Sequence, residues 1–139
     1  MPIEPLLYAS GAFTVVLGGL HFFFPLIVDF RTATLDGTSE LRPIAVPFTR
    51  VRPSRSDVYG LVWVMNHAVS YALVSIGVLD LCHPLWRQTD VGVLLAGWTA
   101  GWWFLRAATQ FHLGRRFFDW GCAIGFALLG GVHVVAAFQ

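Results

Sequence analysis

The sequence has few charged residues, no lysine and only two cysteines. Charged residues make up 12% of its 139 residues, whereas 56% are hydrophobic, and a soluble domain usually carries about 25% charged residues. This number of charged residues is too small to cover a surface that faces water. The composition therefore predicts apolar surfaces that face lipid. The net charge of +1 also gives no electrostatic basis for binding nucleic acid.

Several chemical signatures are absent as well. The sequence contains no Ser-His-Asp nucleophile arrangement, no phosphate-cradling loop and no pair of catalytic carboxylates. Cys82 and Cys122 lack a CxxC or histidine spacing, which argues against a metal site. We predict them at opposite faces of a membrane, too far apart for an intramolecular disulfide.

The first residues, Met1–Pro5, contain no cation. A cleaved signal peptide normally has a positively charged leader before its apolar stretch. The apolar run that follows Glu4 is also about as long as a full membrane crossing of roughly 20 residues. We therefore expect this run to be a retained first helix.

Four apolar runs are long enough to cross a hydrocarbon core of about 30 Å as helices. They are Leu6–Val28, Val58–Leu81, Val91–Leu113 and Phe117–Phe138. None alternates in and out with a period of two, as the strands of a membrane barrel would. The predicted fold class is all-α: a polytopic membrane protein whose residues 1–139 form one four-transmembrane-helix bundle.

Arginine placement predicts the orientation, because cytoplasmic loops are rich in Arg and Lys. The first loop, residues 29–57, holds Arg31, Arg42, Arg50, Arg52 and Arg55, and the third holds Arg115 and Arg116. The second loop has only Arg87. We predict loops one and three in the cytoplasm of an inner-membrane protein, with both termini outside.

Polar groups at membrane depth are costly, so they mark candidate sites. At about 1.5 Å of rise per residue, the same inner layer receives polar groups from several predicted helices: His21, Asn66, His67, Arg106, Gln110 and Asp119. Asn66 and His67 share one face of the second helix with Trp63, and Arg106 and Gln110 share one face of the third with Trp102 or Trp103. Convergence on a common cavity is the simplest reason for these faces to avoid lipid.

The predicted function is binding of an amphipathic ligand in this cavity. The planar guanidinium of Arg106 suits a phosphate, a carboxylate or a carbonyl-rich head. Asn66, Gln110 and Asp119 would contact the head, and the tryptophans would hold its apolar part. A lipid headgroup, a polyprenyl phosphate or a quinone fits. Enzymatic activity stays open; for catalysis, His67 or His21 would be the acid or base.

Other interpretations use the same residues differently. His21 and His67 could make interhelical hydrogen bonds, and Arg106 could extend to the headgroups or pair with Asp119. The two histidines could also be axial ligands of b-type haem. A third alternative is a non-catalytic accessory subunit that uses the GxxxG pairs Gly97/Gly101 and Gly121/Gly125 to contact partner helices or further copies of the chain.

One motif resembles a known family. Gly18-Gly-Leu-His-Phe-Phe-Phe-Pro25 is similar to the first-helix GxxHFxxP pattern of DoxX-like four-helix membrane proteins. Asn66-His67 and Leu105-Arg-Ala107 resemble segments of uncharacterised bacterial four-helix families. The resemblance implies the four-helix architecture and quinone-linked redox partners. The arginine-rich first loop and the Asn-His pair depart from the DoxX-like pattern, so only the architecture is carried over.

Overall fold

A computed structural model describes residues 2–37, 41, 44–46, 49–51 and 53–139 of the chain. Helices dominate the described chain, and the four apolar runs of the sequence are confirmed as helices. The helices are α1 (Glu4–Ile27), α2 (Phe30–Leu35), α3 (Arg55–Leu81), α4 (Asp90–Thr109) and α5 (Phe117–Ala137). Short 3-10 turns at His83–Leu85 and Gln110–His112 follow α3 and α4.

Local chemistry explains where the helices begin and end. Pro5 lies in the first turn of α1, where a missing backbone N–H costs nothing. The hydroxyl of Thr89 accepts a hydrogen bond from the Gly92 N–H at 3.0 Å and so caps the start of α4. Pro84 follows α3 and begins the 3-10 turn instead of extending the helix.

The first loop has regular structure at both ends of its described part. Asp29, in the left-handed region at φ 48°, caps the short helix α2. Strands β1 (Ile44–Val46) and β2 (Thr49–Val51) pair antiparallel, with Ala45 opposite Arg50. Arg42 and Arg52, two of the arginines that predicted the orientation, lie outside the described residues.

Three helices of the described chain are long and apolar enough to cross a membrane: α1, α3 and α5. Helix α4 has 20 residues but is not among the three, because glycine, threonine and tryptophan occupy much of its length. Many large apolar side chains point outward from these helices, including Val16, Leu26, Val64 and Leu128. Lipid is the environment in which such a surface is stable.

The chain divides into two compact units. The first unit comprises Met1–Thr14 and Ile76–Gln139, and its apolar core contains Ile3, Leu7, Trp86, Ala96 and Ala136. Here α1 approaches α3 closely: a Cβ added at Gly11 would lie 2.8 Å from the carbonyl oxygen of Gly77.

The second unit, Val15–Ser75, has a similar close approach of its parts of α1 and α3. A Cβ at Gly18 would lie 2.8 Å from the backbone nitrogen of Val74. The glycines of the two GxxxG pairs behave differently, because a Cβ at any of the four would meet nothing in the described chain within 4 Å. Those pairs therefore do not mediate helix contacts within the described chain.

Candidate functional site

His21 and Asn66 are brought together inside the second unit. The Asn66 amide nitrogen donates to the backbone carbonyl of His21 at 2.8 Å, and its amide oxygen accepts from His21 Nδ1 at 3.2 Å. Asn66 is buried, and Ser70 Oγ donates to its backbone carbonyl at 2.7 Å. This double hydrogen bond matches the interhelical interpretation of His21, and it orients the imidazole through one ring nitrogen.

His67 is held by its own helix. Its Nδ1 donates to the Trp63 carbonyl at 2.9 Å, and its ring stacks on the Trp63 indole with centroids 5.0 Å apart. The Phe22 ring meets it edge-on at 5.7 Å. Because Nδ1 carries the donated hydrogen, Nε2 of neutral His67 is an acceptor that can take a proton or ligate a metal. Trp63 Nε1–H is buried without a hydrogen-bond partner in the described chain.

Arg106, on α4 of the first unit, is the most unusual of the predicted residues. Its guanidinium lies over the ring of Phe126, with Cζ 5.2 Å from the ring centroid, a cation–π arrangement. No carboxylate of the described chain lies within ion-pair distance of it. A half-buried cation among apolar helices therefore has an aromatic face beside it and no anionic side chain from the described part of the chain.

Polar atoms without partners accompany Arg106 on the same helix end. The indole N–H groups of Trp102 and Trp103 and the amide oxygen of Gln110 are buried and lack hydrogen-bond partners in the described chain. Trp103 is fully buried and stacks on Phe126, with centroids 5.5 Å apart. Since unsatisfied buried polar atoms cost about 1–3 kcal/mol each, this concentration favours a ligand that supplies the missing partners.

Asp119 pairs with Arg116 instead of Arg106. Its carboxylate accepts from the backbone N–H of Arg116 at 2.8 Å and from Arg116 Nε at 3.0 Å, which caps the start of α5. The carboxylate raises the pKa of the Arg116 guanidinium above its usual value, through the hydrogen bond first and the charge second. The geometry thus gives Asp119 a capping role and leaves Arg106 without it.

The most completely buried polar cluster of the first unit was missed by the sequence analysis. Asp80, near the end of α3, accepts from Ser10 Oγ at 2.7 Å through Oδ2, and its Oδ1 lies 2.8 Å from Nε2 of His133. His133 Nδ1 donates to the Leu129 carbonyl at 2.8 Å. Ser10 is 3% exposed, Asp80 1% and His133 0%.

A sequence signal for this cluster exists in retrospect. His133 lies near the end of the last apolar run, and Asp80 lies one residue before the end of the second run. The second and fourth helices of a four-crossing chain run in the same direction, so their carboxyl ends lie at one height. An acid and a histidine at matching height on two apolar helices are the pair that lipid forces together.

Further polar contacts surround the Asp80–His133 pair. His83 is buried, donates from Nδ1 to the Asp80 backbone carbonyl at 2.8 Å, and meets the Tyr8 ring edge-on at 4.6 Å. Arg87 and Glu4 form an ion pair at 2.9 Å. His83 is therefore a buried side chain that supports the turn after Asp80 through its hydrogen bond.

The described residues contain no group of three or more His, Cys, Asp or Glu side chains that could hold a metal ion. Cys82 and Cys122 are both free thiols. No protein-family model, curated protein or solved structure matches this chain. The function is therefore inferred from the geometry of the side chains.

Proposed function

We propose that the protein is a four-pass inner-membrane protein that binds the anionic head of an amphipathic ligand through Arg106. The observation that carries the proposal is the half-buried guanidinium, which has no carboxylate partner among the described residues. A charge in such a setting is stable only when paired or hydrated. Phosphate and carboxylate both fit its planar fork of donors.

The membrane topology completes the proposal. Helix α4 is the third of four crossings in chain order, since its 20 residues match the roughly 20 that a bilayer requires. Four crossings place both termini outside, and loops one and three, which hold seven of the nine arginines, in the cytoplasm. Arg106 near the end of α4 then faces the inner leaflet, where anionic headgroups are plentiful.

The aromatic residues beside Arg106 suit the apolar part of the ligand. Phe126, on which the buried Trp103 packs, is partly exposed, as is Trp102, and exposed Trp98 stacks on Trp102 with centroids 6.4 Å apart. The indole N–H of Trp102, which has no partner among the described residues, can donate to head oxygens. A lipid phosphate or a polyprenyl phosphate meets all of these requirements, and a quinone meets those that involve neutral oxygens.

The test is identification of bound amphiphiles. The wild type, Arg106→Gln and the control Arg115→Gln, which changes an exposed arginine, are purified in mild detergent and analysed by native mass spectrometry and lipid extraction. We expect an anionic amphiphile on the wild type and on Arg115→Gln, and binding weaker by roughly tenfold to a hundredfold on Arg106→Gln, the range for losing a charged hydrogen bond.

Two results would contradict the proposal. Equal retention of the amphiphile by Arg106→Gln would remove Arg106 from the site. Recovery of stoichiometric partner polypeptides with no bound amphiphile would favour the accessory-subunit alternative. A visible absorption spectrum of the same preparation tests the b-type haem alternative directly.

A further inference from the structure

The hydrogen-bond partners of His133 determine how many protons the Ser10–Asp80–His133 cluster must contain. The Leu129 carbonyl can only accept, so Nδ1 of His133 carries a hydrogen. Nε2 lies 2.8 Å from Asp80 Oδ1, a distance at which two lone pairs would repel. One proton must therefore lie between Nε2 and Oδ1.

Either side chain can carry that proton. It belongs either to an imidazolium beside a carboxylate or to a carboxylic acid beside a neutral imidazole, and both arrangements leave the pair without net charge. Ser10 Oγ donates to Oδ2 at 2.7 Å and can stabilise the carboxylate in the first arrangement. Loss of the proton would leave a net negative charge in a site where both side chains are at most 1% exposed.

The same geometry excludes two other roles. Ser10 donates to Asp80 and not to His133, so the Ser-His contact that activates a nucleophilic hydroxyl is not made here. The three side chains are too deeply buried for a substrate to reach them. A proton is the one ligand small enough to enter without opening the helices.

We propose that Asp80 and His133, supported by Ser10, form a buried proton-binding site at the end of α3, distinct from the Arg106 site. The site binds one proton between Oδ1 and Nε2 and releases it when the pH rises. Carboxylate and histidine side chains inside membrane helices commonly form such proton relays. The site is independent of any ligand at Arg106, since its residues are separate from Arg106 and its aromatic neighbours.

The remaining ionisable groups at this end of the first unit are Glu4, Tyr8, Cys82, His83, Arg87 and Asp90. Glu4 and Arg87 neutralise each other. His83 contacts the Asp80 backbone carbonyl through Nδ1. Among the described residues, the hydrogen-bonded charge partner of His133 is therefore Asp80.

The experiment is nitrogen NMR of the full chain, labelled at histidine and reconstituted in lipid nanodiscs, over a pH titration. In the wild type we expect the His133 Nε2 signal to show a bound or shared proton at the start of the titration and to lose it in one transition as the pH is raised. In Asp80→Asn, the amide can accept from Ser10 and donate to Nε2. His133 should then carry only its Nδ1 hydrogen at every pH.

Matched controls separate this outcome from a structural role. Asp90→Asn, which changes an exposed acid at the start of α4, should leave the His133 signals as in the wild type. Identical His133 signals in the wild type and Asp80→Asn, or a wild-type proton that is never released while the helices stay folded by circular dichroism, would overturn the proposal. The wild-type titration decides the matter even if Asp80→Asn fails to fold.

Discussion

The first unit holds charge-bearing side chains among apolar helices in two regions. The two regions differ in how far their polar atoms are hydrogen-bonded or paired within the protein. At one, His133 and Asp80 meet at 2.8 Å and are almost completely buried. At the other, Arg106 is half-buried over Phe126 with no carboxylate of the described chain in reach. The first region satisfies its polar atoms internally, whereas the second leaves them available. Hydrogen bonds and ion pairs within the protein stabilise the fold, whereas a buried cation without an anionic partner favours the binding of an anionic ligand.

The largest expected effect on stability comes from removing one member of the Asp80–His133 pair. His133→Leu leaves the Asp80 carboxylate buried with Ser10 as its remaining side-chain partner. We expect it to lower the free energy of unfolding by about 3–5 kcal/mol. Denaturation in mixed detergent micelles, followed by circular dichroism, measures the loss.

The double variant Asp80→Leu/His133→Leu is the control for that prediction. Replacing both members of a buried pair with apolar side chains of similar volume is often neutral. Most of the lost stability should therefore return. A double variant as unstable as His133→Leu would show that the loss comes from packing and not from an unpaired charge.

A smaller effect is expected at Gly11, which lets α1 approach α3 beside the same region. In Gly11→Ala, the new Cβ would lie 2.8 Å from the Gly77 carbonyl oxygen and 3.0 Å from Asp80 Cβ. Overpacking of this kind costs about 1–3 kcal/mol. Gly97→Ala is the matched control, since its Cβ meets nothing within 4 Å in the described chain and should stabilise α4 slightly. Equal effects of the two substitutions would contradict the close approach.

Removing the charge of Arg106 should have the opposite effect on stability to removing His133. Arg106→Met keeps an unbranched apolar stem and removes a cation that has no carboxylate partner in the described chain. The free energy of unfolding should change by less than about 1 kcal/mol or increase, measured in the same micelles without added lipid. A loss comparable to that of His133→Leu would mean that Arg106 is a structural cation, and the contrast between the regions would disappear.

The fold was more predictable than the site. Apolar run length located the four long helices, because a helix needs about 20 residues to cross a bilayer. The pairing of Asp80 with His133 was not found because it joins α3 to α5 across 53 residues of sequence, and periodicity within one helix carries no information about such partners. The close approach of α1 to α3 at Gly11 likewise lies outside either GxxxG motif, and contact of those pairs with partner helices stays a prediction.

The smallest effect concerns Asp29, an exposed carboxylate that contrasts with buried Asp80. Hydrogen bonds from the Thr32 hydroxyl and backbone N–H lower the pKa of Asp29 below its ordinary value of 3.8. The cap on α2 is therefore fully present above that value and is lost as the pH falls through the lowered pKa. The Thr32 amide proton resonance should follow this loss. In Asp29→Asn, whose amide oxygen still caps and tolerates the left-handed backbone, it should stay constant. An identical acid titration in Asp29→Asn would show that another group controls α2.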